Sequence, residues 1–420
     1  MPLPTSDSSI FSATVPAGGP HLLDASMFWG PSGGVRRVLS TRHAALGLNG
    51  WRHTVMAPGA RGAGHIDCGG LPLPRSGGYR LPLGRNRLAR LIEAARPDII
   101  EVADPYTMAW AALQAGQRLG VPTLAFCHSN LSALAARWVG GEQGLGSRHG
   151  LWAARRAQAY LVDLYAGFDL VLAPSRGMAR RLQQWGLRHV QIQPLGVDCD
   201  VFTPNAANPL WRRQIEQHLG VDAGTRLVVY TGRFAAEKNL HLLAQAVDLL
   251  GPGHLLLAVG CGPHPPRGSR VRVMPPMTDC HRLARLLANC DAYAHAGDQE
   301  TFGLGALEAM ACGVPVVLSA SDGLGELAEA GGLSVPGRRP PDWADTLAFA
   351  LGTDLTELCK VGLAHARAHD WSRVIEQMMQ RYQGVLQHDA YQRQASRAVL
   401  PRAAAQGHGE MPPSGLAGHD

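Results

Sequence analysis

The stretch QETFGLGALEAMACGVPVV, residues 299–317, decides the fold of this chain. Its apolar spacing predicts a helix over Gly305–Cys312 and a buried strand over Val314–Leu318. Gly303 and Gly305 stand where that helix begins. Glycine-rich backbone leading into a helix exposes N–H groups at the positive end of the helix dipole, so this turn is suited to bind a diphosphate.

Two glutamates, eight residues apart, frame the turn. Glu308 lies one turn into the predicted helix, where its two carboxylate oxygens could bind a vicinal diol such as that of a ribose. Glu300 lies in the preceding loop and would meet the sugar end of the same ligand. The alternative is a surface glutamate on an amphipathic helix, and the glycine spacing with the following strand favours the binding site.

A second group of candidate residues lies in YTGRFAAEKNL, residues 230–240, which predicts a strand end, a loop and a helix start. Arg233 and Lys238 then lie at the carboxyl end of a strand, the usual ligand position in parallel sheets. Two cations there could neutralise a departing diphosphate, and surface charge at a helix start is the alternative. Lys238 and Lys360 are the only lysines, so we expect Lys238 to serve a site that needs a compact ammonium.

Several other site classes find no match in the sequence. There is no Walker A loop, no GxGxxG after the first predicted strand, no HExxH and no Ser/His/Asp triad order. The glycines of GCGP at Gly260–Pro263 are interpreted as admitting a base or a phosphate. The one DxD sequence, Asp198 to Asp200, lies in a predicted hinge. We therefore expect neither a metal nor a bound cofactor.

In the N-terminal half, GPSGGVRRV at residues 30–38 follows the first predicted strand and opens a helix. Gly33 and Gly34 would allow close backbone approach to a ligand. His128, in FCHSN, stands at the end of another predicted strand, and Ser175, in APSRGM, has the same placement. The alternative for the Gly33–Gly34 loop is a plain strand-to-helix turn. The alternative for His128 is a structural histidine.

The rest of the chain alternates short apolar runs with helical periodicity, which predicts parallel sheets with right-handed crossovers. Strands are predicted at His21–Ala25, Trp51–Ala57, Ile99–Val102, Thr123–Cys127, Leu170–Ala173, Val190–Gln193, Arg226–Tyr230, His254–Val259, Ala292–Ala296 and Val314–Leu318. Helices are predicted at Arg36–Leu48, Leu88–Ala95, Thr107–Leu119, Arg176–Trp185, Leu240–Leu250, Cys280–Cys290, Gly305–Cys312, Gly323–Ala330 and Trp371–Leu386. The fold class is therefore α/β, with two doubly wound domains in series.

The breakers of PLGVDCDVFTP, Pro194–Pro204, mark the join between the two domains. Composition and periodicity divide the chain into an unstructured N-terminus, a first domain, a linker, a second domain, a final helix and an unstructured tail. The respective bounds are 1–18, 19–195, 196–204, 205–370, 371–390 and 391–420.

The composition, 46% hydrophobic and 17% charged, is that of a globular chain. The sequence contains no run of about 18 apolar residues, so no membrane-spanning helix is predicted. Met1–Pro20 lacks a basic and an apolar region, so we expect no export. The eight cysteines stand singly, as in a reducing compartment. These features predict a cytoplasmic protein, either soluble or peripheral on the inner face of the cell membrane, with no nucleic-acid partner.

Charge is distributed unevenly along the chain. Residues 1–200 contain 20 Arg, no Lys and 12 acidic residues, a net charge of +8, whereas residues 201–420 carry −2. A basic half could face an anionic acceptor or an anionic membrane, and a solvated arginine-rich surface is the alternative. Two groups of basic and apolar residues favour the membrane: the segment Arg75–Arg96, with Leu81, Leu83, Leu88, Leu91 and Ile92, and the cluster Arg137, Trp138, Trp152, Arg155 and Arg156.

Taken together, SGGVRRV, APS, PLGVD, GRFAAEKNL, VGCGP and ETFGLGALEAMACGVPVV resemble glycosyltransferase family 4 over residues 21–385. The stretch from GLPLPRSGGYRLPL to RPDIIEVADPYT is similar, more loosely, to mannosyltransferases of phosphatidylinositol mannosides. This resemblance implies the GT-B fold, two facing Rossmann-like domains with the last helix crossing back to the first. It also implies a retaining, metal-independent hexosyl transfer, with mannose from GDP-mannose favoured, to a glycan or lipid-linked acceptor.

The resemblance also implies roles for the candidate residues. Arg233 and Lys238 would bind the donor diphosphate, Glu308 the ribose, and Glu300 the hydroxyls of the transferred sugar. His128 would touch that sugar near the reacting carbon, and Gly33 and Gly34 would form a loop against the phosphate and the acceptor. The further donor-binding residues would be Gly232, Gly260, Gly262, Thr301, Phe302, Gly303, Leu304 and Gly305. HAGDQE departs from the HPS-type sequence more usual in the family.

Other functions remain open at this point. A nucleotide-sugar epimerase shares the fold and would need no acceptor. A pyridoxal-dependent phosphorylase needs a cofactor-bearing lysine. This chain has only two lysines, so it matches that class poorly. An inactive nucleotide-sugar-binding subunit would be expected to lack one of the four charged candidate residues, and all four are present.

Overall fold

The computed structural model describes residues 18–30, 34–73, 76 and 78–399, without the side chains of residues 142, 143 and 390–399. Gly33 and Arg75 lie outside the described residues, as do residues 1–17 and 400–420 of the two ends predicted to be unstructured.

The first domain is built on a parallel sheet of seven strands within the described residues, in the order β3-β2-β1-β6-β7-β8-β9. Two further short strands, β4 and β5, pair antiparallel beside it. The strands are β1 (His21–Ala25), β2 (Arg52–Ala57), β3 (His65–Asp67), β4 (Leu71–Pro72), β5 (Arg80–Leu81), β6 (Ile99–Val102), β7 (Thr123–Phe126), β8 (Leu170–Ala173) and β9 (Val190–Ile192). The inner strands are buried on both faces, as parallel strands covered by helices must be.

Helices cover both faces of this sheet. They are α1 (Gly34–Leu48), α2 (Arg85–Ala95), α3 (Thr107–Leu119), α4 (Leu131–Gly140), α5 (Arg148–Tyr165) and α6 (Arg176–Gln184). The hairpin of α4 and α5, joined by a 3₁₀ turn at Gly141–Gly146, was not among the predicted helices. Asn130 and Ser147 cap its two helices by accepting a hydrogen bond from a backbone N–H of the first turn.

The second domain carries a six-stranded parallel sheet, again among the described residues, in the order β12-β11-β10-β13-β14-β15. Its strands are β10 (Arg226–Thr231), β11 (His254–Val259), β12 (Val271–Met274), β13 (Ala292–His295), β14 (Val316–Ser319) and β15 (Leu333–Val335). Its helices are α7 (Pro209–Leu219), α8 (Leu240–Leu250), α9 (Cys280–Ala288), α10 (Leu304–Ala311), α11 (Asp322–Glu329), α12 (Pro340–Gly352) and α13 (Thr356–Ala368). The prediction missed the edge strands β12 and β15, which are short and partly exposed.

The last helix, α14 (Trp371–Val399), returns to the first domain. Tyr382 in this helix is fully buried there, and its hydroxyl donates a hydrogen bond of 2.5 Å to Glu101. The helix continues beyond its predicted end at Leu386, and residues 391–399, predicted as part of the unstructured tail, belong to it. The apolar periodicity stops at Leu386, but the following residues are good helix formers and the first strong breaker is Pro401.

The structure corrects part of each group expected to meet a membrane. Arg137 of the second group is only 19% exposed and faces Asp298 of the other domain. In the segment Arg75–Arg96, Leu88 and Ile92 are fully buried and form the core-facing side of α2. The guanidinium of Arg85 stacks over Trp110, so it is also occupied within the domain. No helix among the described residues has both the length and the apolar character needed to cross a bilayer.

Candidate functional site

In both sheets the strand order reverses beside the first strand, between β1 and β6 and between β10 and β13. Loops that leave the carboxyl ends of such strand pairs diverge and open a crevice, which is where ligands bind in doubly wound sheets. In the second domain, the loop after β10 carries Arg233 and Lys238, and the loop after β13 leads to Glu300. The fold therefore brings together residues about sixty positions apart in sequence.

Lys238 forms an ion pair with Glu300 across this crevice. Lys238 ends the short 3₁₀ turn Ala236–Lys238, and both side chains are mostly buried, 16% and 17% exposed. Burial lowers the pKa of Lys238 to about 8, with Glu237 opposing the change. Arg233, from the same loop, donates from Nη2 to Oε1 of Glu237 at 2.7 Å. The two predicted cations thus lie in one loop, each already facing a carboxylate.

His295, at the end of β13, lies beneath Glu300 and was not predicted as a site residue. Its Nδ1 accepts a hydrogen bond of 3.0 Å from the backbone N–H of Gly297, which leaves the proton on Nε2 in the neutral ring. That Nε2 is 3.5 Å from Oε1 of Glu300. Burial lowers the pKa of His295, so the neutral form is the one present. The signal in the sequence was a histidine one residue before the end of the predicted strand Ala292–Ala296.

Glu308 lies in the second turn of α10 and is buried. Burial raises the pKa of its carboxyl group, and an ion pair with Arg37 of α1 acts in the opposite direction. The helix begins after Gly303, whose φ of 104° lies in the left-handed region that favours glycine. Gly305 is needed for packing, since a Cβ there would lie 2.5 Å from the Tyr293 hydroxyl.

The side chains between the two glutamates mostly bond or pack with other parts of the protein. The hydroxyl of Thr301 donates a hydrogen bond of 2.9 Å to the carbonyl oxygen of His128 in the other domain. Phe302 is packed in the hydrophobic core, and Leu304 lies partly buried against it. For Thr301 and Phe302, a contact with the predicted donor would therefore come from the backbone rather than from the side chain.

Gly260 and Gly262 have a structural reason to be glycine. A Cβ on Gly260 would lie 1.8 Å from the carbonyl oxygen of Gly232, and one on Gly262 would lie 2.3 Å from that of Phe234. The loops after β10 and β11 are thus pressed together by backbone contact, with Phe234 N–H donating to the carbonyl of Cys261 at 2.8 Å. This packing holds the Arg233 loop in place; direct contact of Gly232, Gly260 or Gly262 with a donor stays a prediction.

His128 follows β7 in the first domain and lies on the opposite wall of the crevice. It stacks on Phe126, with ring centroids 4.0 Å apart. Burial lowers the pKa of His128 to about 3, so the imidazole is neutral at physiological pH. Its Nε2 is buried and has no hydrogen-bond partner within the described residues. A buried imidazole nitrogen without a partner is suited to bind a ligand hydroxyl.

Gly34 begins α1 and meets the second domain at Leu304, whose Cδ1 would lie 3.1 Å from a Cβ on Gly34. The other predicted residue of this loop, Gly33, lies outside the described residues. Ser175 caps α6 by accepting a hydrogen bond from Met178 N–H and is buried, so its hydroxyl already has a structural partner.

Several arginines of the basic first domain face carboxylates of the second, which the sequence did not predict. Arg181 binds Asp322 with two hydrogen bonds of 2.7 and 2.9 Å. Arg137 lies 3.6 Å from Asp298, and it donates a hydrogen bond of 2.8 Å to the carbonyl of Ala236, beside Lys238. Part of the charge difference between the two halves of the chain thus serves the contact between domains.

A cleft of about 530 Å³ lies next to the Arg233 loop. Leu134, Arg137 and Trp138 of α4 form one wall, and Ala235–Glu237 with Pro263–Pro265 form the other. It therefore lies between α4 and the part of this loop that follows Arg233, and the predicted site residues Arg233, Lys238, Glu300, Glu308 and His128 do not line it. Within the described part of the chain, no group of three or more His, Cys, Asp or Glu side chains is arranged to hold a metal ion.

The arrangement as a whole suits a ligand with an anionic centre and hydroxyl groups at both ends. The prediction assigns Arg233 and Lys238 to the anion, and Glu308 and Glu300 to hydroxyls on its two sides. His128 closes the site from the other domain with a neutral hydrogen-bonding group.

Two protein families match this chain, one in each domain. Residues 32–201 match the family described as Glycosyltransferase Family 4, and residues 225–352 match the family described as Glycosyl transferases group 1. A GDP-mannose-dependent alpha-(1-6)-phosphatidylinositol dimannoside mannosyltransferase of Mycobacterium tuberculosis is 27% identical over 384 residues, 86% of this chain and 95% of the relative. A GDP-mannose-dependent alpha-mannosyltransferase of the same species is 31% identical over 244 residues, 56% of this chain and 60% of the relative.

Solved structures show the same fold. A sucrose-phosphate synthase from Thermosynechococcus elongatus superposes with a TM-score of 0.70 at 22% identity, covering 88% of this chain and all of its own. The Anabaena protein HepE in complex with UDP-glucose superposes with a TM-score of 0.68 at 20% identity, covering 87% of this chain and 99% of its own.

Proposed function

The chain is a glycosyltransferase of the family 4 type with the GT-B fold, and we propose that it transfers mannose from GDP-mannose to a glycan or lipid-linked acceptor. The family resemblance and fold class predicted from the sequence are thereby confirmed. The donor is supported by the relatives, two of which are described as GDP-mannose-dependent mannosyltransferases. The observation that carries the proposal is the crevice that joins Arg233 and Lys238 to Glu300, Glu308 and His128.

In the proposed complex the diphosphate of the donor lies against Arg233, Lys238 and the start of α10. Backbone N–H groups at a helix start and fixed cations stabilise negative charge that develops on a leaving diphosphate. Glu308 would bind the ribose diol, and Glu300 the hydroxyls of the transferred sugar. Because Lys238 neutralises part of the diphosphate charge, we propose that no metal ion is required.

We propose that transfer retains the configuration of the sugar through attack on the face from which the diphosphate leaves. Glu300 is ion-paired with Lys238, and its Oε1 lies 3.5 Å from Nε2 of His295, which favours binding of hydroxyls over nucleophilic attack on the anomeric carbon. His128 is neutral and its Nε2 is buried without a partner among the described residues, which suits a hydrogen bond to the sugar near the reacting carbon. The proton of the acceptor hydroxyl would pass to the departing phosphate oxygen, so no protein base is needed.

The α4–α5 hairpin supports an acceptor presented at an anionic membrane surface. Trp138 and Trp152 are 69% and 63% exposed, and Val139, Leu145 and Leu151 beside them are exposed as well. Arg148, Arg155 and Arg156 on α5 are also exposed. Amphipathic aromatic side chains with nearby arginines are typical of the interface between water and lipid headgroups. The cleft beside Trp138 reaches Ala235–Glu237 of the Arg233 loop, so an amphiphilic acceptor bound in it would lie next to that loop.

The donor is tested by measuring the thermal stability of the purified chain against GDP, UDP and ADP and their mannose and glucose conjugates. We expect GDP and GDP-mannose to raise the melting temperature most, because a ligand that binds only the folded state stabilises it by mass action. Stabilisation by UDP and UDP-glucose, with none by GDP, would replace the proposed donor while leaving the glycosyltransferase class in place.

A further inference from the structure

Arg37 of α1 contacts Glu308 of α10, so an arginine of the first domain occupies the carboxylate assigned to the donor ribose. Nη1 of Arg37 donates to Oε1 of Glu308, although the two residues are 271 positions apart. Glu308 is buried, whereas the Arg37 side chain is 39% exposed. The exposed partner is the one that is free to move.

Donor binding would change this pair. A ribose diol bound to Glu308 through both carboxylate oxygens needs Oε1, the oxygen that Arg37 now contacts. A buried carboxylate that loses its cation without replacement is strongly destabilised, so the ribose hydroxyls and Arg37 must be exchanged in one process. Arg37, once displaced, also needs a new anion close to its position.

The anion closest to that position in the proposed complex is the donor diphosphate. Arg37 lies in the first turn of α1, which begins at Gly34, and Gly34 meets Leu304 at the start of α10. The starts of these two helices therefore face each other across the crevice. A guanidinium can bind phosphate oxygens with two parallel hydrogen bonds.

We propose that Arg37 is a donor-binding residue supplied by the first domain, which contacts Glu308 in the empty site and the donor diphosphate in the filled site. This inference rests on the proposed nucleotide-diphosphate donor. It gives donor binding a direct effect on the contact between the two domains, since the same side chain serves both.

The test is a calorimetric titration of guanosine and GDP into the unmodified chain and into Arg37→Gln, Arg37→Lys and Arg36→Gln. We expect Arg37→Gln to weaken GDP binding about tenfold or more, the effect of one lost hydrogen bond between charged groups. Guanosine binding should be unchanged or tighter, because its ribose no longer competes with Arg37. Arg37→Lys should keep part of the preference for GDP. Arg36→Gln is the matched control in the same helix turn, where Arg36 stacks on Trp29, and should bind as the unmodified chain does.

Two results would overturn the inference. Equal weakening of guanosine and GDP would mean that Arg37 only supports the shape of the pocket, and tighter binding of both would mean that it only competes for Glu308.

If Arg37→Gln does not fold, the double variant Arg37→Gln with Glu308→Gln, which leaves no buried charge unpaired, is compared with Glu308→Gln alone. The same tenfold loss of GDP affinity is then expected, and equal affinities would contradict the inference. If the unmodified chain binds UDP and not GDP, the proposed donor fails, and uridine with UDP tests Arg37 in the same way.

Discussion

Lys238 and Glu300 form a buried ion pair across the crevice of the second domain, so the lysine assigned to the donor diphosphate already faces a carboxylate in the free chain. Because burial lowers the pKa of Lys238 to about 8, the lysine titrates close to physiological pH. Only its protonated form can neutralise a diphosphate. The charge of this side chain therefore links donor binding to pH.

We predict that kcat/KM for the donor is constant below about pH 7 and falls as the pH rises through about 8. The value of kcat/KM reports the ionisation of the free enzyme, in which Lys238 has this lowered pKa. In Lys238→Arg the fall should move out of the accessible range, because a guanidinium keeps its charge. A pH–rate series on both proteins measures this, and an unchanged alkaline limb in Lys238→Arg would assign the titration to another group.

Removing the charge at position 238 should have a large effect on turnover. It also leaves the mostly buried Glu300 without its cation, which should lower the melting temperature while the folded structure is kept. We expect Lys238→Ala to lower kcat by roughly 10²–10³, the usual loss when one group that stabilises a developing negative charge is removed. Lys360→Ala is the matched control, since Lys360 lies on the surface, 65% exposed, beside Glu357. The circular dichroism of both variants should match that of the unmodified chain. A Lys238→Ala enzyme with normal turnover would contradict the diphosphate assignment.

The strands and helices that form the crevice could be predicted because their signals are local. Strands such as β1, β6, β8 and β11 follow directly from short apolar runs. In each parallel sheet, the carboxyl ends of the strands lie along one edge. The glycines and glutamates of residues 299–317 predicted a site in the second domain from local signals as well, and the structure brings Glu300 to Lys238. Alanine-rich helix α4 gave a weaker periodic signal and was missed.

Contacts between the domains could not be predicted, because they depend on how two separately folded units meet. Nothing near Arg37 in the sequence points to Glu308, and nothing near Arg137 points to Asp298. The apolar residues of Arg75–Arg96 misled in the same way, since the sequence does not say which side of α2 the core covers.

Helix α14 returns to the first domain, and we predict that its buried contact there contributes to the free energy of unfolding. The Tyr382 hydroxyl accepts from Arg42 and donates to Glu101, and all three side chains are buried. Tyr382→Phe leaves two buried charged groups each without one partner, which should lower the free energy of unfolding by about 1–3 kcal/mol. Urea denaturation measures the loss. Tyr160→Phe is the matched control: it removes one bond donated to the carbonyl of Pro105 and one accepted from Trp110 Nε1, both at a half-buried site with uncharged partners, and it should lose less. An equal loss in both would argue against a special role for the buried network.

The exposed tryptophans of the α4–α5 hairpin predict binding to anionic vesicles. We expect the chain to co-sediment with vesicles containing phosphatidylglycerol at low salt and to be released at high salt, because arginine attraction to the surface is screened. The double variant Trp138→Ala with Trp152→Ala should bind more weakly, and Trp211→Ala, on α7 of the second domain, should bind as the unmodified chain does. Equal, negligible sedimentation with neutral and anionic vesicles at low salt would contradict the membrane proposal.

The most direct test of the central claim is the product formed from GDP-mannose in excess EDTA with a glycan or lipid acceptor. Resolving the product by mass spectrometry and reading its anomeric configuration by NMR tests donor, retention and metal independence together. We predict an α-linked mannoside and free GDP at undiminished rate. Conversion of GDP-mannose into another GDP-sugar without an acceptor, a β-linked product, or activity lost in EDTA and restored by Mn²⁺ would contradict it.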